Sequence, residues 1–295
     1  MKKLSGTKEE IKAGFGKKRR YKSRIQDESM KSIEMKWEGA KMGKDVMVAL
    51  DFPSGEKALA FLDLFAKEER KPYVKVGMEL FYSEGPEIVR KIKERGHQIF
   101  LDLKLHDIPN TVKGGMRSLR DLGVDMTNLH ASGGVEMMRQ ALRGLSFEEG
   151  ENEASSCKAE KESSGSSNRK NRPLLIAVTQ LTSTDQRCME EELLIKEELK
   201  KVVLHYGQNA KTAGLDGVVC SPWEAREIHE KLGKDFLTIT PGVRFKGGDV
   251  GDQKRVMSPA DAKDAGSDYI VMGRPITQAE NPVEAYREAI RQFCD

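Results

Sequence analysis

Between residues 46 and 293 the chain alternates short apolar segments with longer amphipathic ones, and this alternation restricts the fold more than any other feature. The apolar segments have the length and residue types of buried strands. Predicted strands occupy residues 46–52, 73–77, 126–132, 174–181, 217–220, 236–240 and 269–272, and another opens the stretch 99–111. About eight strands that alternate with helices indicate a parallel sheet, and that number closes naturally into a (β/α)8 TIM barrel.

The segments between the strands have the apolar spacing of helices. Predicted helices occupy residues 57–69, 86–95, 111–122, 135–145, 190–213, 223–232 and 282–293. An open doubly wound sheet is the alternative α/β fold, but no glycine-rich dinucleotide turn follows the first strand. The chain has 295 residues, of which 38% are hydrophobic. A barrel domain of about 250 residues therefore accounts for residues 45–295 as a single catalytic domain.

Charge is distributed unevenly along the chain. Residues 1–44 contain 14 Lys or Arg and 6 Asp or Glu, a net charge of +8, whereas the whole chain carries +3, so the remainder carries −5. We expect residues 1–44 to be a disordered, solvated extension rather than a tether to RNA or membrane. A second polar segment, residues 148–172, is predicted to be a flexible insert. The acidic body argues against a nucleic-acid partner.

The cysteines and the hydropathy indicate a cytoplasmic protein. The four cysteines, Cys157, Cys188, Cys220 and Cys294, have no spacing typical of a metal site or redox motif, so we interpret them as free thiols in a reducing compartment. No apolar run approaches the ~20 residues of a membrane span, and the N-terminus lacks the apolar segment of a signal peptide. We therefore expect no membrane partner.

The stretch 99–111 combines a buried strand with charged residues. Alternate residues of a strand share a face, so Asp102 and Lys104 are predicted to point the same way. The turn at Pro109 brings Asp107 towards that face or sends it towards a neighbouring chain. A lone Asp-x-Lys is usually a surface ion pair, but buried charges persist only when they are paired. We therefore interpret this stretch as part of an active site.

Other polar residues also lie within or at the C-terminal ends of predicted strands, where barrel enzymes place their chemistry. They are Asp51, Lys75, Asp102, Lys104, Thr182, Arg244 and Arg274. Gly273 and Arg274 follow the last strand, the usual place for a phosphate site in such barrels. Arg244 and Gln253 follow the seventh strand and are expected to assist. The predicted substrate is therefore a phosphorylated small molecule.

The remaining charges indicate the reaction type. Asp51, Lys75, Asp102 and Lys104 alternate carboxylates with cations in a site of low dielectric, without a serine–histidine pair, a metal triad or a cofactor motif. His106 and His130 are interpreted as structural. A preorganised array of charges without a nucleophile suits a reaction that forms a carbanion and then protonates it.

Several motifs together resemble a known family. LDLKLHDIPNT at residues 101–111 closely resembles the signature of the orotidine 5′-monophosphate decarboxylases of the shorter bacterial type. The resemblance extends over about residues 45–293. It includes ALDF at 49–52, VKVGMEL at 74–80, VTQLTS at 178–183, PGVR at 241–244 and VMGR at 271–274. The N-terminal extension and the polar insert depart from the family's pattern, and both lie outside these motifs.

The resemblance implies a reaction, an assembly and a role for each residue. It implies decarboxylation to uridine 5′-monophosphate, in de novo pyrimidine biosynthesis, by a homodimer with shared sites. We expect no metal or other cofactor, because the sequence has no ligand cluster and already supplies the charge array. Lys104 is implied as the proton donor to C6 of the pyrimidine, Asp102 as the group against the departing carboxylate, and Lys75 and Asp107 as the rest of the charge network. Asp107, Ile108 and Thr111 are implied to enter the site from the second subunit. The implied substrate contacts are Asp51 and Lys75 for the ribose, Thr182 for the pyrimidine, and Arg244, Gln253, Gly273 and Arg274 for the phosphate.

Two alternative functions remain open at this stage. A magnesium-dependent sugar-phosphate decarboxylase or aldolase-like enzyme of the same superfamily shares the Asp-x-Lys strand but needs a further carboxylate as a metal ligand, for which Glu79 is a candidate. A non-catalytic barrel that binds nucleotides is the second alternative. An intact Lys104 beside Asp102 speaks against the latter.

The start of the working enzyme is a separate expectation. Translation in the cell is expected to begin at Met42, because the first predicted strand follows it closely and residues 1–41 lack the periodicity of a core. The codons for Trp37-Glu38-Gly39 also form a purine-rich run of the ribosome-binding type just upstream of Met42. A native peptide spanning Lys31 to Lys41 in mass spectrometry would contradict this expectation.

Overall fold

Eight parallel strands form a closed barrel in the computed structural model, which describes residues 44–146, 172–247 and 257–295. The strands are β1 (Asp45–Ala49), β2 (Tyr73–Gly77), β3 (Ile99–Leu105), β4 (Met126–His130), β5 (Leu174–Val178), β6 (Gly217–Val219), β7 (Leu237–Pro241) and β8 (Tyr269–Met272). Each strand pairs with the next, and β8 pairs with β1, so the sheet has no edge. The predicted (β/α)8 barrel is confirmed.

Helices connect the strands and form the outer layer. They are α1 (Gly55–Asp63), α2 (Met78–Glu84), α3 (Pro86–Glu94), α4 (Pro109–Asp121), α5 (Gly134–Leu145), α6 (Leu199–Thr212), α7 (Pro222–Leu232), α8 (Pro259–Asp264), α9 (Arg274–Thr277) and α10 (Pro282–Phe293). Many begin with proline, whose missing N–H costs nothing in the first turn of a helix. α7 also has a capping box, in which Ser221 and Glu224 satisfy each other's backbone N–H groups.

The sequence prediction of helices was wrong in three respects. The helix predicted over residues 57–69 ends at Asp63. The helix predicted over residues 190–213 is interrupted: a π-helical turn spans Cys188–Glu192, and α6 begins only at Leu199. Leu194 ends the first turn because its backbone is left-handed, with φ of +56°. The short helices α2, α8 and α9 were not predicted, since four to seven residues carry little periodicity.

The core has two layers that follow the alternation of the strands. One set of residues fills the inside of the barrel, and the opposite set packs under the helices. The interior set includes Ala49, Tyr73, Phe100, Met126, Ile176, Ile239 and Val271. The inward-facing residues two positions further along β2, β3 and β4 are Lys75, Asp102 and Asn128. The barrel interior therefore changes from apolar to polar towards the C-terminal ends of these strands.

Aspartates fasten the opposite end of the barrel. Asp125, Asp216 and Asp268, just before β4, β6 and β8, accept hydrogen bonds from backbone N–H groups at the start of β3, β5 and β7. Asp216 is fully buried and forms a two-pronged ion pair with Arg172, at 2.6 and 3.1 Å. These contacts set the register of neighbouring strands far from the polar end.

Parts of the predicted domain organisation lie outside the described residues. These are the extension over residues 1–44, apart from Lys44, and the insert over residues 148–172, apart from Arg172. Within the described ranges, no helix has the length and apolar character needed to cross a membrane.

His97 generates a prediction about acid stability. Its side chain is 2% exposed, and its Nδ1–H donates to the carbonyl of Pro72 at 2.9 Å. Burial lowers the pKa of His97, so the folded chain takes up this proton less readily than the unfolded chain does. The stabilising contribution of neutral His97 is therefore complete above about pH 6.5, the ordinary histidine value, and is lost as the pH falls below it.

We expect His97→Phe to be destabilised by about 1 kcal/mol near pH 8, since the Pro72 carbonyl loses its donor. Its deficit relative to the unmodified chain should shrink as the pH falls from 7 to 5, because the variant has no buried imidazole to protonate. Urea unfolding at several pH values measures this. His205→Phe, at an exposed histidine, is the control. A deficit for His97→Phe that does not change with pH would contradict the prediction.

Candidate active site

Ion pairs link four charged residues at the C-terminal ends of β1, β2 and β3. The Nζ atom of Lys75 lies 3.1 Å from Oδ1 of Asp51 and 3.5 Å from Oδ2 of Asp102. The Nζ atom of Lys104 lies 2.7 Å from Oδ1 of Asp102. The residues therefore form the continuous series Asp51, Lys75, Asp102, Lys104, as the alternation of charges predicted.

The absence of a side chain at Gly77 leaves room for the ion pair between Lys75 and Asp51. A Cβ atom at position 77 would lie 3.2 Å from Nζ of Lys75 and 3.4 Å from Oδ1 of Asp51. Any side chain there would press on the ion pair between Lys75 and Asp51. The glycine in the VKVG segment thus has a packing reason that concerns the site directly.

Lys104 reaches Asp102 through an irregular strand, and the predicted simple alternation is not the cause of their contact. Leu101 pairs with Thr127 and Leu105 with Leu129, so β3 advances four residues where β4 advances two. Within this bulge Lys104 has a left-handed backbone, with φ of +52°. Such a conformation costs roughly 1–2 kcal/mol for a residue with a Cβ atom, and strain of this kind is common at functional sites.

Asp102 is the most enclosed member of the array, with 8% of its surface exposed. Burial opposes its ionisation, but the charges of Lys75 and Lys104 and the hydrogen bonds from Lys104 and Asn128 outweigh burial. Together they lower the pKa of Asp102 below its ordinary value. Asp102 therefore stays a carboxylate throughout the physiological range.

A cavity of about 290 Å³ opens beside the array. Its polar lining consists of Lys75, Asp102, Lys104, Gln180, Thr182 and Ser183. Apolar side chains of the barrel interior, such as Phe100, Val178 and Ile239, form its floor. An apolar cleft with a few convergent polar groups is typical of small-molecule sites. Thr182 lies where the sequence analysis expected it, on the segment after β5.

The residues expected to bind phosphate are only partly brought together in the described part of the chain. Gly273 lies at the start of α9, beside Ala49 and Asp51, and Arg274 is the first residue of that helix. Arg244 is 7% exposed and does not line the cavity; one of its N–H groups donates to the carbonyl of Val243. Gln253 lies outside the described residues.

The residues expected from a second subunit do not line the cavity of their own chain. Asp107 is exposed, and its carboxylate accepts the backbone N–H of Ile108 at 2.6 Å. Ile108 is 68% exposed, which is unusual for isoleucine, and Thr111 is exposed in the first turn of α4.

Neither the histidines nor the carboxylates near the site form a metal centre. The rings of His106 and His130 lie 5.8 Å apart; burial, then His106 and Lys104, lower the pKa of His130. Among residues 44–146, 172–247 and 257–295, no three His, Cys, Asp or Glu side chains converge as metal ligands. Glu79 is exposed on α2 and does not line the cavity.

Three further polar residues belong to the site and were not expected from the sequence. Gln180 and Ser183 line the cavity beside Thr182. Asn128, fully buried on β4, bonds to both Asp102 and Lys104. Its signal was available in the sequence: an asparagine within the strand Met126–His130, in register with the inward-facing Met126.

A second, more open cavity of about 450 Å³ lies outside the barrel, between α8 and α10. Lys246 at its rim pairs with Asp261 at 3.5 Å. This cavity lacks a convergent array of buried charges, so we assign the chemistry to the cavity in the barrel mouth.

Comparison with known proteins identifies the family. Residues 44–289 match the profile of the orotidine 5′-phosphate decarboxylase / HUMPS family. The chain belongs to this family. The match spans the whole barrel, from the start of β1 into α10, and includes every described residue of the charge array.

Individual relatives agree with this assignment. The chain is 54% identical over 249 residues to an orotidine 5′-phosphate decarboxylase of Streptococcus thermophilus, which covers 84% of this chain and 97% of that protein. It is 52% identical over 252 residues to the enzyme of that name from Bacillus cytotoxicus, with coverage of 85% and 98%. Among solved structures, orotidine 5′-phosphate decarboxylase from Lactobacillus acidophilus superposes with a TM-score of 0.70 at 37% identity, covering 85% of this chain and all of that one.

The left-handed backbone of Lys104 generates a stability prediction. Glycine adopts positive φ without a steric penalty, whereas alanine retains the penalty. We expect Lys104→Gly to be more stable than Lys104→Ala by about 1 kcal/mol, which reverses the usual order within a strand.

Lys75 supplies the control for this comparison, since it lies in regular strand. There the glycine variant should be the less stable of the pair, because glycine loses more backbone entropy on folding. Thermal or urea unfolding of all four variants makes the comparison. If Lys104→Ala were the more stable variant at position 104, the strained backbone would be contradicted.

Proposed function

We propose that this chain decarboxylates orotidine 5′-monophosphate to uridine 5′-monophosphate in de novo pyrimidine biosynthesis. The array Asp51–Lys75–Asp102–Lys104 at the cavity carries the proposal, because it supplies a protonated lysine held against a buried carboxylate. Membership of the family and relatives above 50% identity that bear the enzyme's name support it.

In the proposed mechanism, Asp102 repels the substrate carboxylate and Lys104 stabilises the charge that forms at C6. The substrate carboxylate lies against Asp102, so two negative charges are close together in the ground state. As the bond from C6 to the carboxylate breaks, CO2 leaves as a neutral molecule and the electron pair remains on C6. The substrate's negative charge thereby moves from its carboxylate, next to Asp102, to C6, next to the ammonium of Lys104. The array therefore favours the transition state over the bound substrate.

Lys104 then donates an Nζ proton to C6, which gives uridine 5′-monophosphate, and the neutral amine regains a proton from solvent. Lys75 holds the other oxygen of Asp102 and, with Asp51, binds the ribose hydroxyls in the proposal. Thr182 contacts the pyrimidine edge. Arg244, Gln253, Gly273 and Arg274 bind the phosphate, whose binding energy helps to organise the reacting end of the substrate.

We also propose that the reaction needs no metal or organic cofactor and takes place in the cytoplasm. The lysines of the array supply the positive charge that a metal supplies in the rival magnesium-dependent sugar-phosphate enzymes. The cysteines of the described ranges, Cys188, Cys220 and Cys294, are free thiols, as is usual in a reducing compartment.

A homodimer with shared sites is the proposed assembly. Ile108 and Tyr82 are 68% and 70% exposed on the segments that follow β3 and β2, and both are apolar enough to favour a covered interface. The cavity of the same chain is not lined by Asp107, Ile108 or Thr111. This fits residues that enter the site of the neighbouring subunit. In this arrangement Asp107 completes the charge network of Lys75, Asp102 and Lys104.

The proposed reaction makes a direct prediction for Lys104→Ala. The full chain should release CO2 from orotidine 5′-monophosphate, and prolonged chelation should leave its rate unchanged. Lys104→Ala should lower kcat by at least about 10³-fold, because the proton donor and one cation of the array are both lost. Lys91→Ala, at an exposed helical lysine, is the control. Loss of activity on chelation that added metal restores would favour the sugar-phosphate alternative. Near-normal activity of Lys104→Ala would refute the role of Lys104 as proton donor.

Shared sites predict recovery of activity on mixing. Lys104→Ala and Asp107→Ala chains, each nearly inactive, should form hybrids with one site that carries both lesions and one that carries neither. Random exchange in an equal mixture should therefore restore about a quarter of the unmodified activity.

Mixing Lys104→Ala with Lys75→Ala is the control, because both lesions then affect the part of the site that one chain builds. This mixture should stay inactive. Subunit exchange is verified by mass spectrometry of differently tagged chains. No recovery in the first mixture, with exchange verified, would argue that each chain builds its own site.

A further inference from the structure

Asn128 is a buried polar side chain to which the mechanism above assigns no task. It lies in the middle of β4, is fully buried, and points into the barrel above the apolar Met126. A buried amide needs hydrogen-bond partners, and both partners of Asn128 lie on β3. Its Nδ2 donates to Oδ1 of Asp102 at 2.7 Å, and its Oδ1 accepts the backbone N–H of Lys104 at 2.8 Å.

The chemistry of the partners fixes the orientation of this amide. A carboxylate only accepts hydrogen bonds and a backbone N–H only donates, so Nδ2 must face Asp102 and Oδ1 must face Lys104. Rotating the amide by 180° would lose both bonds. Asn128 therefore has one favourable orientation, in which it bridges the two residues.

The bulge in β3 explains why the backbone N–H of Lys104 bonds to a side chain of β4. Between the pairs Leu101–Thr127 and Leu105–Leu129, the residues from Asp102 to Lys104 face Asn128 alone. The N–H of Lys104 bonds there to the side chain of Asn128. At the same residue the backbone is left-handed, with φ of +52°, and the ammonium of Lys104 contacts Asp102.

We propose that Asn128 is a positioning residue for the reaction, since one amide fixes both the Asp102 carboxylate and the Lys104 backbone. Oδ1 of Asp102 is shared between Nδ2 of Asn128 and Nζ of Lys104, while Oδ2 faces Lys75. Asn128 thus fixes the orientation of the Asp102 carboxylate and the position of the backbone that carries the Lys104 side chain. The inference rests on the proposed function, because it concerns the alignment of the same proton donor.

Asn128→Ala tests the proposal in the full chain. Misplacing a reacting group by about 1 Å costs on the order of 10²-fold in rate. We therefore expect kcat to fall by about that factor, while affinity for uridine 5′-monophosphate stays within about threefold. A kcat within threefold of the unmodified chain, or an effect confined to KM, would overturn the proposal.

Thr127→Val is the matched control on the neighbouring residue. Thr127 is also fully buried on β4, and its hydroxyl donates to the carbonyl of Leu101 on β3 at 3.1 Å. It thus makes a similar contact between the same strands without touching the array. Its kcat should stay within about threefold of the unmodified value. An equal loss of kcat in Thr127→Val would assign the effect to strand pairing and overturn the proposal.

Asn128→Asp gives a readout that depends on hydrogen bonding rather than on folding. The new carboxyl keeps an acceptor for Lys104 but donates to Asp102 only when it is protonated, and two close carboxylates cannot both ionise easily. The charged or titratable groups around it are Asp102, Lys75, Lys104, His106 and His130. The ratio of its kcat to that of the unmodified chain should therefore rise as the pH is lowered from 8 to 6. A ratio that does not change with pH would overturn the proposal, even if Asn128→Ala failed to fold.

A crystal structure of Asn128→Asp or Asn128→Ala separates this inference from the proposed reaction. If the unmodified chain releases no CO2 from orotidine 5′-monophosphate, the proposed function fails, but the structural question is still answered. We expect Lys104 to leave the left-handed region and its Nζ to lose the 2.7 Å contact with Asp102 in Asn128→Ala. An unchanged Lys104 backbone would overturn the positioning role.

Discussion

The carboxylate of Asp102 is the group through which the array is held together. An unpaired carboxylate at this depth would cost several kcal/mol, which is why such groups usually become neutral. Here two lysines and the amide of Asn128 surround it, and their combined effect lowers the pKa of Asp102 despite burial. Removing either lysine would leave this buried charge only partly compensated. In the proposed mechanism, the groups that stabilise the Asp102 carboxylate are therefore also the groups that act on substrate.

The barrel explains why these charges meet. Inward-facing positions alternate along each strand, and in β2, β3 and β4 they carry aromatic or methionine side chains first and polar side chains two residues later. The apolar layer of Tyr73, Phe100 and Met126 excludes water below the array. At the other end, aspartates bonded to backbone N–H groups hold the strand register. Stability and chemistry are thus assigned to opposite ends of the same strands, as is usual in barrels of this kind.

The sequence predicted the barrel and the inward positions of Lys75 and Asp102 because both depend on periodicity. Eight apolar segments alternate with helices, and Lys75 and Asp102 interrupt segments that are otherwise buried. The bulge at Lys104 was not predictable in this way, since it depends on how β3 pairs with β4, which is a long-range property. The inward position of Asn128 follows from the alternation in β4, but its role was missed because its hydrogen-bond partners lie on another strand.

Local sequence rules also failed where tertiary contacts decide the backbone. Residues 190–213 have helical spacing, yet Leu194 adopts a left-handed conformation and α6 starts at Leu199. The residues proposed to bind phosphate were only partly predictable, for a different reason. Arg274 follows β8 as predicted, but Arg244 is buried and does not line the cavity, and Gln253 lies outside the described residues. Loops that depend on a ligand or a neighbour carry little periodicity from which their form can be predicted.

The central claim, that Lys104 transfers a proton to a carbanion at C6, is tested most directly by hydrogen exchange of the product. Because the protonation step is reversible in principle, the full chain in D2O should exchange the C6 hydrogen of uridine 5′-monophosphate for deuterium. Proton NMR follows the loss of the C6–H signal, with the C5–H signal as an internal reference. The account predicts selective loss at C6 with the unmodified chain and none with Lys104→Ala. Exchange at an equal rate in Lys104→Ala would contradict it.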